Sequence, residues 1–163
     1  MLPKQQRTRI IGIDFGLARI GLSMSDESKI IAMSLETMKA EKKSEFTVSK
    51  LINLLNLHQK TCGYAIESIV IGLPLMMSGK HGLLADEVQH FVALLSKAIS
   101  VPIITWDERL TSVQADRSLR EGNFSRKKRA QKSDAVAAVI ILQNYLDFRI
   151  SDMERKVLDT QHS

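Results

Sequence analysis

The sequence predicts an α/β domain built on a mixed five-stranded sheet, three antiparallel strands followed by βαβ units, with helices flanking the sheet. Three observations carry this expectation. Two short extended patterns at residues 9–14 and 20–26 are separated only by a break at Gly16, as in a hairpin. Two continuous apolar runs at 68–73 and 101–106 read as strands covered on both faces. The segments around those runs have apolar residues at helical spacing, and 163 residues is the length of one ordinary domain.

In chain order, residues 9–14 read Arg-Ile-Ile-Gly-Ile-Asp, an apolar run that ends in an acid, and 20–26 pairs with it. Residues 30–38 supply a third strand. Residues 45–58 place Phe46, Leu51, Leu54, Leu55 and Leu57 at near-helical spacing, which predicts the first helix. The run 68–73 is closed by Pro74, and 83–99 returns to helical spacing through Val88, Phe91, Val92 and Leu95. After the strand at 101–106, residues 111–121 carry a helical pattern stopped by Gly122. Residues 123–132 are polar and basic, and 133–148 form a last apolar helix capped by Ser133. The expected division is one domain over 1–150 and a polar, frayed C-terminal tail over 151–163.

Composition narrows the class. Lysine and arginine outnumber acids by 23 to 18, a formal net charge of +5, which favours an anionic partner. The single cysteine, Cys62, has no intrachain mate, so the chain suits a reducing compartment, and Cys62 is expected to fill the core. No apolar run approaches the ~18 residues that span a bilayer, and a cytoplasmic protein with no membrane partner is expected. The Gly-x-x-x-x-Gly-Lys and Gly-x-Gly-x-x-Gly spacings are absent, which argues against a nucleotide cofactor. His58, His81, His90 and His162 show no paired zinc spacing and are expected at the surface or in loops, whereas Trp106 is expected in the core.

Four acids fall at element ends. Asp14 ends the first strand, Asp107 and Glu108 end the last, and Asp134 opens the final helix. Counting from Asp134, helical spacing reaches Ala137, Ala138, Ile141 and Tyr145, a mostly apolar face that should turn toward the sheet. Its two small alanines let the helix lie close. Sites in open α/β sheets gather outside the carboxyl ends of strands, where these acids fall. Converging carboxylates repel unless a cation lies between them, and hard oxygen ligands suit Mg2+ or Mn2+. Two such ions roughly 3.5–4 Å apart can activate water and stabilise a leaving oxygen in phosphodiester hydrolysis. Any one acid alone has a structural explanation: Asp14 as a turn residue, Asp134 as a helix-dipole partner, Asp107 or Glu108 as a partner of Arg109.

The runs Gly12-Ile-Asp-Phe-Gly-Leu-Ala-Arg-Ile-Gly-Leu-Ser-Met-Ser-Asp26, Ile69-Val-Ile-Gly-Leu-Pro-Leu75, Trp106-Asp-Glu-Arg-Leu-Thr-Ser112 and Lys132-Ser-Asp-Ala-Val-Ala-Ala138 resemble the YqgF family. These are Holliday-junction resolvases, also described as nucleases that mature the 5′ end of pre-16S ribosomal RNA. The resemblance implies a ribonuclease H-like fold and a metal-dependent endonuclease acting on structured RNA or branched DNA. It assigns catalysis to Asp14, Glu108 and Asp134, with Asp107 as a further metal ligand. It also implies that the last strand supplies an acid, because the strand end at Gly72-Leu-Pro74, where related resolvases carry a carboxylate, has none. Where the family usually has Gly-Thr-Lys this chain has Gly16-Leu-Ala18, and its Leu75-Met-Met-Ser-Gly79 replaces Leu-Asn-Met-Asp-Gly.

Arg126, Lys127, Lys128, Arg129 and Lys132 place five cations in seven residues just before Asp134. Beside a metal site they would grip phosphates, with Arg109 a further candidate contact. A solvated charge run on a loop is the competing reading, and a non-catalytic RNA-binding factor is the competing function. The chain is expected to be a monomer or a weak homodimer.

Overall fold

The computed structural model describes residues 3–74, 78, 82–108 and 126–162, with the side chains of the last stretch described from 135 onward. Among the described residues, five strands and three helices follow in the order β1 (Thr8–Phe15), β2 (Arg19–Ser25), β3 (Ala32–Lys39), α1 (Ser44–Cys62), β4 (Ala65–Leu73), α2 (Leu83–Ala98), β5 (Ile103–Asp107) and α3 (Arg126–Gln161). They form one mixed sheet in the order β3-β2-β1-β4-β5. β1 pairs antiparallel with β2, and β2 with β3, whereas β1–β4 and β4–β5 are parallel. The predicted architecture is therefore the observed one. It is the ribonuclease H-like arrangement.

Strand alternation divides the core into two layers. Ile11, Ile13, Phe15, Ile20, Leu22, Ile69, Ile71 and Leu73 pack with Val48, Leu51, Leu55 of α1 and Val88, Phe91, Leu95 of α2. On the other face Ile10 and Val70 pack with Ile141, Leu142 and Leu146 of α3. That second face is lined by small residues, which lets α3 come close. A Cβ at Gly12 would stand 2.8 Å from the Leu142 Cβ and 3.2 Å from the Ala138 carbonyl oxygen. The Ser23 hydroxyl donates to that same carbonyl at 2.7 Å, and the Gln143 amide holds β3 by accepting from Ala32 N at 2.8 Å. These bonds fix the helix in register on the sheet.

Several expectations are corrected. The last helix begins at Arg126, so Ser133 is not its cap and the basic segment is helical rather than a loop. Arg, Lys, Ala and Gln are good helix formers, and nothing between 126 and 133 breaks the pattern. At its other end the helix continues through Gln161, where fraying was expected from residue 151. β5 lies at the sheet edge with Thr105 and Asp107 exposed, so it is not a doubly covered strand. Cys62 is exposed at the end of α1, not in the core. Phe46 and Leu57, taken for core-facing positions, are 61% and 67% exposed. Ile30 and Ile31 belong to the β2–β3 connection, where Asp26 Oδ1 accepts both backbone N–H groups. The expected helix at 111–121 lies outside the described residues. Among the described residues no helix is long and apolar enough to cross a membrane.

Candidate active site

The carboxyl ends of β1, β4 and β5 lie side by side. Asp14 of β1 stands opposite Gly21 of β2, Ile13 opposite Ile71 of β4, and Leu73 of β4 opposite Asp107 of β5. The Glu108 N–H donates to the Leu73 carbonyl at 3.3 Å, which carries the β4–β5 register one residue past the strand.

Alternation then assigns the acids to faces. In β1, Ile11, Ile13 and Phe15 take the α1/α2 side, and Ile10 takes the α3 side, so Asp14 falls on the α3 side. In β5, Ile104 and Trp106 pack on the α3 side and Ile103 on the other. Glu108 continues the first set and Asp107 the second, so Asp107 lies across the sheet edge from Asp14 and Glu108. Trp106 is half-buried against Tyr145 and Phe148, at ring-centroid distances of 5.7 and 5.3 Å, rather than fully inside.

Gly72 explains how Glu108 reaches inward. A Cβ at Gly72 would collide with the Glu108 carboxylate and with Ile141 Cδ1. The bare strand is the seat of the glutamate: the Glu108 carboxylate, carried by the chain just beyond β5, lies over Gly72 of β4. The sequence did carry a signal for this, because a glycine inside a buried strand marks a close approach. Enclosure has an electrostatic consequence. Burial, and then the neighbouring Asp107 charge, push the Glu108 carboxyl up from 4.5 to about 7.

Asp134 belongs to α3, eight residues after its start, so the helix dipole no longer accounts for it. Only its backbone position is described. Along α3, Arg149 pairs with Glu67 near the start of β4 whereas Ile141 lies by Gly72 near its end, so the helix runs antiparallel to β4 and to the parallel β1. The turn before Ala138, which holds Asp134, therefore lies toward the Asp14 end of β1. Arg126, Lys127, Lys128, Arg129 and Lys132 occupy the two turns before it, and their side chains lie outside the described residues, as do Arg109 and residues 75–77 and 79–81 of the β4–α2 loop. Among the described residues no three His, Cys, Asp or Glu side chains form a metal-holding group.

A family model described as RuvX, Holliday junction resolvase, matches residues 8–148. The chain belongs to this family. A RuvX relative from Protochlamydia amoebophila, named "Putative pre-16S rRNA nuclease", is 59% identical over 146 residues, which cover 90% of this chain and 97% of that protein. A Bacillus subtilis protein of the same name is 38% identical over 140 residues, 85% of this chain and 97% of its own. Among solved structures, T. thermophilus RuvC in complex with a Holliday junction substrate superimposes with a TM-score of 0.52 at 18% identity, over 88% of this chain and 96% of that one. The fowlpox virus Holliday junction resolvase gives a TM-score of 0.52 at 10% identity, over 85% and 97%. At such identities these two likenesses establish the fold. RuvX membership carries phosphodiester hydrolysis as the reaction, nucleic acid as the partner, and a general dependence on a divalent cation.

Proposed function

We propose that this chain is a metal-dependent endonuclease that matures the 5′ end of pre-16S ribosomal RNA, with Asp14, Glu108 and Asp134 as its catalytic acids. The observation that carries this reading is the Glu108 carboxylate, seated over Gly72 on the sheet face that also bears Asp14. A half-buried carboxylate pushed up to about 7 is poorly solvated as an anion, and a bound cation would relieve that penalty. The residues present therefore fit a hard divalent ion such as Mg2+ or Mn2+. Asp14, Glu108 and Asp134 would hold it, with Asp107 a weaker candidate because alternation turns it to the other face. When bound, one or two such ions supply a Lewis acid and an activated water.

The remaining roles belong to the chain itself. Gly72, with no side chain, leaves room for the Glu108 carboxylate over β4. Glu108 would hold such a cation as the ionised carboxylate, so binding would strengthen as pH rises through about 7. The cationic turns from Arg126 to Lys132, with Arg109, draw phosphates toward the strand ends.

The test is to incubate the protein with precursor 16S RNA and with a four-way DNA junction, with Mg2+ or Mn2+, and to map the ends formed. Trimming at the mature 5′ end that is lost in Asp14→Asn supports the reading. No cut in either substrate would leave a binding-only protein. The family description favours a second reading, resolution of four-way DNA by the same acids, which matched nicks in opposing strands would establish.

A further inference from the structure

At the opposite end of β4, about 26 Å from the acids at 3.3 Å per residue, a second group of side chains converges on the last turn of α1. His58 and Cys62 are four residues apart on one helical face, with the Cys62 Sγ 3.7 Å from the His58 Nε2. The other ring nitrogen, Nδ1, lies 2.8 Å from the Tyr64 hydroxyl. The two rings also meet edge to face at 5.5 Å, and the Arg9 guanidinium caps the Tyr64 ring at 5.6 Å. Tyr64 is buried, so the imidazole is held from behind, whereas Cys62 is open to solvent. Gly63, left-handed at φ 69, closes the helix by donating its N–H to the Gln59 carbonyl at 2.9 Å, which fixes the turn that carries the thiol.

We propose that His58 and Cys62 form a binding site for a d10 transition-metal ion of the Zn2+ type, with Tyr64 positioning the imidazole. Sulfur and nitrogen ligands at about 2.3 and 2.05 Å on a tetrahedral centre stand about 3.6 Å apart, which the pair already matches. With Nδ1–H donating to the Tyr64 oxygen, the Nε2 lone pair turns toward Sγ, the tautomer that a metal requires. The site lies at a helix C-terminus, whose partial negative charge favours a cation beside it. Two protein ligands leave two positions for water or for the same pair on a second copy of the chain.

Cys62 is the one cysteine of the sequence, so thiolate-to-cobalt absorption reports on this site alone, whatever the carboxylates bind. Titrating the reduced full chain with Co2+ should raise a near-ultraviolet charge-transfer band that saturates near one equivalent and is displaced by Zn2+. Cys62→Ser, at an exposed position that leaves the fold intact, should remove it. His58→Ala should weaken the apparent affinity at least tenfold, and Tyr64→Phe, which keeps the ring, by about tenfold. Sedimentation with Zn2+ tells the two sources of the remaining ligands apart: a monomer means water, a 2:1 complex the second copy. No band in the wild-type chain, or equal affinity in His58→Ala, would overturn the proposal.

Discussion

Glu108 and the strand glycines Gly12 and Gly72 make the sharpest demands on single residues. The folded Glu108 carboxyl sits at about 7 against 4.5 for the free group, so the native chain holds this proton more tightly than the unfolded chain. Without metal, the stability that this group confers is fully present below pH 4.5 and is lost as pH rises through 7. The shift corresponds to about 3 kcal/mol, which the partial exposure of the site reduces to about 2. Glu108→Gln should therefore raise the stability of the chelated protein by about 2 kcal/mol at pH 8 and leave it nearly unchanged at pH 4, while abolishing cleavage. Urea melts at the two pH values check this, and equal effects at both would remove the buried-anion account. Gly72→Ala should displace the same carboxylate and remove most cleavage. Gly12→Ala, which presses on Leu142 and the Ala138 carbonyl, should instead cost about 1–3 kcal/mol as a packing defect. Comparing the two variants in melting and cleavage assays separates the seat of a functional group from a packing defect.

Among the elements, α3 departs furthest from what the sequence predicts, and both of its ends yield predictions. The apolar face from Ala137 to Leu146 was legible because it repeats at helical spacing and is buried as expected. The ends were not, because a charged helix turn with no apolar stripe resembles a loop: helix propensity alone extends α3 back to Arg126 and on to Gln161. The strands divide in the same way. β1 and β4 were legible from continuous apolar runs, yet nothing local says that β5 is an edge strand, since that depends on which strand lies beyond it. Asp14 and Glu108 could be read as site candidates from their place at strand ends. That Glu108 rather than Asp107 shares a face with Asp14 required the register of β5. Replacing Arg126, Lys127, Lys128 and Arg129 by alanine keeps good helix formers, so the fold should survive. The slope of log affinity against log salt should flatten by about 0.7–0.9 for each phosphate that is no longer neutralised, and an unchanged slope would return these turns to a solvated role. At the other end, deleting residues 151–163 removes mostly exposed turns while keeping the Arg149–Glu67 ion pair at 3.4 Å. Stability should fall by under about 1 kcal/mol, with cleavage unaffected.

For the whole molecule the open question is whether one site or two act at a time. Symmetric resolution of a four-way junction needs two sites related by a two-fold axis, hence a self-complementary patch large enough to hold a dimer. The exposed apolar side chains of the described surface do not make one. On α3, Met153 and Val157 share a face, but Phe148 lies on the opposite side of the helix and Leu158 on a third, and Glu154, Arg155 and Lys156 stand among them. Ile30, Ile31 and Met33 cluster at the β2–β3 connection, far too small a patch for a stable interface. The proposed site at the strand ends, with the Arg126–Lys132 turns of α3 as its proposed phosphate contacts, would suit one flexible strand, and single-stranded segments are what RNA-binding proteins most often read. The chain should therefore sediment as a monomer at concentrations of about 10 μM, a range in which a dimer held by a standard-size interface would stay associated. It should cut precursor RNA once per encounter and leave four-way DNA without matched nicks. A tight dimer that nicks opposing strands in pairs and does not trim the RNA would reverse this assignment while leaving the acids and the fold as described.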